Sequence, residues 1–341
     1  MTRNHQTQPD QGFTLIEIIL AIAIICFVVV MIASIVNTVS GSWKRSSSEM
    51  TSFQNARFAF DRLNSTINQS TLNPYWDYVD ASGTRRTSNN AATFAPSKYA
   101  RCSDQHFMIA PVSNYTNSGQ TIACFFQAPL GYSTNTSLTS LNNMLNAVGF
   151  FVEFNSDGDS NTCSLKPSFA GQAKWRYRLM ELRQPSENNS VFTNTTNSAW
   201  ITNAMTVPGR QARPIADNII ALVLMAEDVN GNPLFSSTNN SYTYDSRNYD
   251  SRNSNSTNTY NQLPAQVQVT MVAIDEASAS RLAAKNGSTA PSIVSSNYFQ
   301  DPANYTTNLA SLQQELATNS SKPTFRVFST SIRIEAAKWS Q

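Results

Sequence analysis

The stretch FTLIEIILAIAIICFVVVMIASIV, residues 13–36, decides the reading of this 341-residue chain. Only Thr14, Glu17 and Ser34 interrupt its apolar character. A helix needs about 20 residues, at about 1.5 Å each, to cross a bilayer, and residues 18–36 supply that length. The apolar core of a secretory signal peptide is shorter, about 7 to 15 residues, so the run reads as an anchor. Glu17 is the anomaly, because a carboxylate one turn inside an apolar helix is costly unless a group pairs with it or it lies at the headgroup boundary.

Working outward, Gly12-Phe13-Thr14-Leu15-Ile16-Glu17 resembles the prepilin peptidase recognition motif of type IV pilins and type II secretion pseudopilins. The resemblance implies cleavage after Gly12, leaving residues 1–12 as the leader, and N-methylation of the new amino-terminal Phe13. It also implies a partner for the acid. The Phe13 ammonium of one subunit would pair with Glu17, the fifth mature residue, of its neighbour, since two charges in a low-dielectric setting are tolerable together and intolerable apart. Two features depart from the pattern. Gln11 stands where a basic residue is common, and Lys44 and Arg45 follow the anchor on the side assigned to the outside, so charge asymmetry does not set the orientation. The orientation follows from the motif, which must face the cytoplasmic active site of the peptidase. Residues 13–40 are then a single-pass helix in a bacterial inner membrane, with residues 41–341 extracytoplasmic.

Beyond Gly41, the residues Met50, Phe53, Phe60, Leu63 and Ile67 mark one apolar helical face, so the helix is expected to run to about residue 69, with a kink at Gly41. Strands are expected over 105–112, 121–127, 147–155, 174–182, 215–227, 266–275 and 325–336, and short helices over 277–285 and 305–317. Residues 236–262 are poor in apolar side chains and contain YDSRN twice in succession, at 244–248 and 249–253. They read as a flexible loop between two core strands, with a contact loop toward a partner as the alternative. The expected class is α+β, a long amino-terminal helix packed on an antiparallel sheet.

The carboxy-terminal half is similar to the J-type minor pseudopilins in the order DNIIALVLMAEDVNGN (217–232), QLPAQV (262–267) and FRVFSTSIRIEAAKW (325–339). FFQAPLGY (125–132) and NAVGFFVEF (146–154) resemble a family of prepilin-signal proteins from a gene cassette of Verrucomicrobia, cassette protein C. Together the resemblances imply a structural subunit of a periplasmic or surface filament. Its partners would be a prepilin peptidase, other pilin-like subunits and an inner-membrane assembly platform.

Composition narrows the other classes. A net charge of +2 without basic clusters gives no footprint for nucleic acid, and charged residues are only 13% of the chain. The chain has two histidines, His5 in the leader and His106, and no GxSxG, P-loop or dinucleotide glycine pattern, so no enzyme or cofactor is expected. Cys26 lies in the anchor. Cys102, Cys124 and Cys163 allow one disulfide and one thiol, without choosing the pair. No Cys/His spacing suggests zinc. Asn155-Ser156-Asp157-Gly158-Asp159-Ser160-Asn161 alternates oxygen ligands as calcium loops do, but its glycine is at the fourth place and Lys166 replaces the closing acid, so it reads as a solvated turn. Asp228 to Asn232 reads as a hairpin turn with Asn230-Gly231 at its tip. Two other functions compete with a filament subunit. A membrane-tethered binding protein would use the prepilin signal only for export, and an exported hydrolase would need convergent carboxylates.

Overall fold

In the computed structural model the described residues are 14–116, 119–138, 140–158, 169, 171, 173–193, 198–206, 209–234, 242–247, 260–295, 297–318 and 323–338. The chain divides into two compact units, Met1–Met50 and Thr51–Gln341. Helix α1 (Leu15–Asn68) begins in the first and ends in the second, and it continues unbroken through Gly41.

In the first unit α1 has no buried face. Residues Leu15–Lys44 form one apolar segment none of which is buried, and its large side chains, from Leu15 to Val39, are exposed on every side. A helix apolar all round is stable in water only inside a core, and here no core surrounds it; a bilayer satisfies it instead. Its length, about 45 Å, exceeds the roughly 30 Å hydrocarbon thickness of a membrane.

In the second unit the same helix is amphipathic. Phe53, Ala56, Phe60, Leu63 and Ile67 are buried at spacings of three and four, and Ala56 and Ala59 let the backbone approach what lies beneath. Met50, expected on this face, is exposed, because the buried stripe starts only at Phe53. Arg326 lies over the Phe53 ring at 4.9 Å, the Phe60 and Phe328 rings are 5.7 Å apart, and Arg62 Nη2 donates to Glu181 Oε2 at 2.7 Å.

The expected α+β class is what the structure shows. After α1 come β1 (Tyr75–Val79), β2 (Lys98–Cys102), β3 (Met108–Pro111), β4 (Gly119–Ala128), β5 (Asn146–Ser156), β6 (Trp175–Gln184), α2 (Ala199–Met205), β7 (Ala212–Asp217), β8 (Ile219–Glu227), β9 (Tyr244–Asp245), β10 (Gln266–Ile274), α3 (Glu276–Asn286), α4 (Tyr305–Thr318) and β11 (Phe325–Arg333). All pairings between strands are antiparallel. The main sheet has the order β7-β6-β5-β4-β3-β9, a second the order β11-β10-β8, and β1 pairs with β2.

Both faces of the main sheet are covered. Cys124, Phe126, Val148, Phe150 and Leu179 share one core with the α1 face, β8 and β10. The alternate residues Phe125, Phe151, Met180 and Leu182 pack on the other side against Trp200 and Ile201 of α2. Each fully buried ring or aliphatic side chain stabilises the fold by about 1.5–3 kcal/mol. Gly149 is directly opposite Phe125, and a side chain at 149 would overlap that ring.

The single strand expected over 215–227 is two strands in different sheets. Asn218, between them, has φ of 64°, a left-handed conformation that asparagine tolerates better than most residues. Its N–H donates to Tyr177 O in the main sheet at 2.7 Å, and its carbonyl accepts from Ile274 N of the second at 2.9 Å. The sheets meet again where β4 bulges and Thr121 Oγ1 donates to Leu222 O at 2.6 Å and accepts from Leu222 N at 3.0 Å.

The pair β1–β2 has no counterpart in the sequence reading. Its strands are short, and Trp76, Tyr78 and Tyr99 are on the exposed face, where Trp76 and Tyr99 stack at 5.6 Å and Tyr78 and Tyr99 meet at 5.3 Å. Such cross-strand pairs contribute to a two-stranded sheet that is marginal by itself. Of the segment read as a flexible loop, residues 242–247 and 260–262 are described: Tyr242, Tyr244 and Ser246 are buried, and β9 pairs with β3. At these described positions Tyr and hydrogen-bonded Ser are buried although the stretch is poor in aliphatic side chains. The turn at Asp228 to Asn232 closes as a hairpin, with Asp228 Oδ1 accepting from the N–H groups of Asn230 and Asn232 at 2.8 Å each.

Among the described residues, the core of the second unit uses no side chain before Phe53. Removal of residues 1–43 is therefore expected to leave a water-soluble domain with a cooperative thermal transition. An aggregated or non-cooperative product from calorimetry of that fragment would show that the membrane helix completes the fold.

Candidate functional site

The start of α1 is set by a reciprocal pair of hydrogen bonds. Thr14 N and Thr14 Oγ1 both donate to Glu17 Oε2 at 2.8 Å, and Glu17 N donates back to Thr14 Oγ1 at 3.4 Å. This is a capping box: Thr14 is the N-cap, Glu17 the third helical residue, and two backbone donors that the helix leaves over are satisfied. The carboxylate is also near the positive end of the helix dipole, where an anion is favoured. Both bonds from Thr14 use one oxygen, and Oε1 takes no partner among the described residues.

Of the residues expected at this site, only Glu17 can be placed. Gly12 and Phe13, the expected cleavage and methylation positions, lie outside the described residues. Thr14 was missed by the sequence reading, although Thr-x-x-Glu ahead of an apolar run is the signature of a capping box. Cys26 is exposed on the apolar helix.

The other candidate groups are held in structural roles. His106, two residues before β3, is buried. Trp200 Nε1 donates to His106 Nδ1 at 3.0 Å, and Nε2 is 2.7 Å from Asp245 Oδ1. An indole N–H can only donate, so Nδ1 accepts and the imidazole proton is on Nε2. Burial holds His106 below its ordinary imidazole value, against the opposing pull of Asp245. The group beyond its other nitrogen is an indole, which is no nucleophile.

In the stretch weighed as a calcium loop, Asn155 Oδ1 accepts from Arg178 Nη1 at 2.7 Å and Asp157 Oδ1 from Lys174 N at 2.6 Å. Ser156 Oγ accepts from Gly158 N at 3.1 Å. Residues 159–161 lie outside the described residues. Cys102 and Cys124 are buried free thiols, and burial pushes both up from the ordinary thiol value, away from the reactive thiolate. Cys163, the third member of the expected set, lies outside the described residues.

The strongest functional signal is thus confined to the amino terminus, and comparison with known proteins points the same way. No curated protein matches the chain. Residues 8–33 match the prokaryotic N-terminal methylation motif, and this match supports a type IV pilin-like protein with a prepilin signal and a single amino-terminal membrane helix.

Proposed function

We propose that the chain is a structural subunit of a pilin-like filament, of the minor pseudopilin type, and not an enzyme. The methylation motif on a capped, wholly exposed apolar helix is the observation that carries this reading. A prepilin peptidase cuts between Gly12 and Phe13, and Phe13 is methylated. Residues 13–40 hold the protein in the bacterial inner membrane, and residues 41–341 are extracytoplasmic, in the periplasm or on the filament. Other pilin-like subunits and an inner-membrane assembly platform are the partners. The similarities of the carboxy-terminal half favour a J-type minor subunit, and the cassette protein C resemblance is the alternative within the same class.

On this reading Glu17 has two duties. Oε2 closes the capping box and fixes the helix start next to the new amino terminus. Oε1 receives the ammonium of a neighbour's Phe13, so that a subunit entering out of register leaves two charges unpaired in a low-dielectric setting. Mass spectrometry of the native protein is expected to show Phe13 as the first residue, with a methylated amine. An amino terminus at Met1, or one beyond Gly41, would end the prepilin reading.

A further inference from the structure

The β1–β2 ribbon is fastened to its domain from one side. Val79 and Cys102 are fully buried, Tyr75 Oη donates to Asp104 Oδ1 at 3.0 Å, and Arg85 Nη1 donates to the same oxygen at 2.8 Å. The register pairs Trp76 with Arg101 and Tyr78 with Tyr99, so strand alternation puts these four side chains together on the opposite face. There Trp76 is 61% exposed, and Tyr78 and Tyr99 are 59% exposed. Among the described residues nothing accepts from the Trp76 indole N–H or bonds the Tyr78 and Tyr99 hydroxyls. The three rings are thus held in place by the ribbon's other face, ready for a ligand without further ordering.

We propose that this aromatic face binds a neutral saccharide chain of equatorially linked pyranose units. Rings exposed to this extent make a patch of roughly 350 Å², a size at which surface patches are often functional, but less than half of the roughly 800 Å² that each partner of a stable protein complex buries. A small ligand therefore fits it better than a second copy of the chain. Ring geometry also disfavours a proline-rich peptide, which seats proline between aromatic side chains set apart as a groove. Trp76 and Tyr99 are nearly parallel, with 24° between planes and centroids 5.6 Å apart, whereas a third ring between them needs about 7 Å, two van der Waals spacings. The ligand must lie on the rings. A pyranose with equatorial substituents has a flat face of axial C–H bonds, which the negative face of an aromatic ring attracts, and a rim of hydroxyls. Equatorial linkages keep successive units flat, and the indole N–H and the two phenol groups meet the hydroxyl rim. Of the four side chains only Arg101 is charged, and its Nε donates to Tyr260 O at 3.2 Å, so the face suits a neutral ligand. Such binding does not depend on the filament reading.

The test uses full-length protein in a zwitterionic detergent without a sugar headgroup. Cellohexaose and the corresponding N-acetylglucosamine hexamer are the probes, and calorimetry and tryptophan fluorescence the readouts. Wild type is expected to bind at least one hexamer, and Trp76→Ala to bind it about tenfold more weakly, the size of one aromatic contact. Because the rings also brace the ribbon, exchange of the Ser97 amide, which donates to Val79 O at 2.8 Å, is read in parallel. If Ser97 loses protection in the alanine variant, Trp76→Val, a strand former without a ring, takes its place. The double variant Tyr78→Phe with Tyr99→Phe keeps every ring and is expected to bind about fivefold more weakly through its lost hydroxyls. No binding of either hexamer at millimolar concentration, or unchanged affinity in the Trp76 variant or in the double variant, would overturn the proposal. So would a proline decamer, or self-association of the protein, that depends on Trp76 while neither hexamer binds, because the face then serves a peptide or a second copy.

Discussion

Glu17→Gln protein is expected to be exported, inserted and cleaved normally, but recovered with other pilin-like subunits about 100-fold less than wild type. The glutamine amide oxygen can still accept from Thr14 N and Oγ1, since either residue serves the third position of a capping box, so the helix start is preserved. What is lost is the charge. In the proposed pairing, the neighbour's Phe13 ammonium then loses its partner, which a low-dielectric setting penalises. Glu17→Ala separates the two duties further, because it also removes the oxygen that accepts from Thr14 N and Oγ1. The measurement is co-isolation or crosslinking at matched membrane levels. If the glutamine variant is recovered like wild type and only the alanine variant is lost, helix capping alone explains the acid.

A second large effect is expected far from the membrane. Glu153 and Arg210 are both almost completely buried and form two parallel contacts, Arg210 Nη1 to Oε1 at 3.2 Å and Nη2 to Oε2 at 2.8 Å. Thr116 Oγ1 donates to the same carboxylate at 2.9 Å, and the guanidinium lies over the Phe151 ring at 5.3 Å. Glu153→Leu leaves a buried cation unpaired and is expected to cost about 3–5 kcal/mol. In a domain of this size that lowers the midpoint of thermal unfolding by about 10 °C. The double variant Glu153→Leu with Arg210→Met should recover most of the loss, because a buried ion pair is often no more stabilising than apolar side chains of like volume. A single variant that loses under about 1 kcal/mol would mean that water reaches Arg210.

Those two expectations differ in how far the sequence alone supports them. The anchor and Glu17 were legible because a bilayer demands an unbroken apolar run and makes any charge in it conspicuous. Strands β5, β8 and β10 were legible for a related reason: they are fully or alternately buried, and burial writes itself into residue type. The edges were not. β1 and β2 turn Trp76, Tyr78 and Tyr99 outward, and β9 is held by Asp245, Ser246 and Arg247, polar residues that read as loop. Nor did the pattern show the break at Asn218, because an apolar run continues through it; only the backbone conformation sends the chain into another sheet. The pairing of Glu153 with Arg210 joins residues distant in the chain, and no local spacing signals it. The capping box was the avoidable omission, since Thr14 and Glu17 stand three apart in plain view.

Asn218 also determines how this domain comes apart. Because its N–H is committed to one sheet and its carbonyl to the other, neither sheet can open at that corner without exposing a backbone group that the other was satisfying. Thr121 imposes the same condition from the opposite side, through both backbone groups of Leu222. Sub-global openings that would release one sheet by itself are thereby penalised, and the two sheets behave as one cooperative unit toward proteases and pulling forces. In the proposed role as a filament subunit, that resistance to piecemeal yielding would be supplied in part by an asparagine and a threonine at two corners.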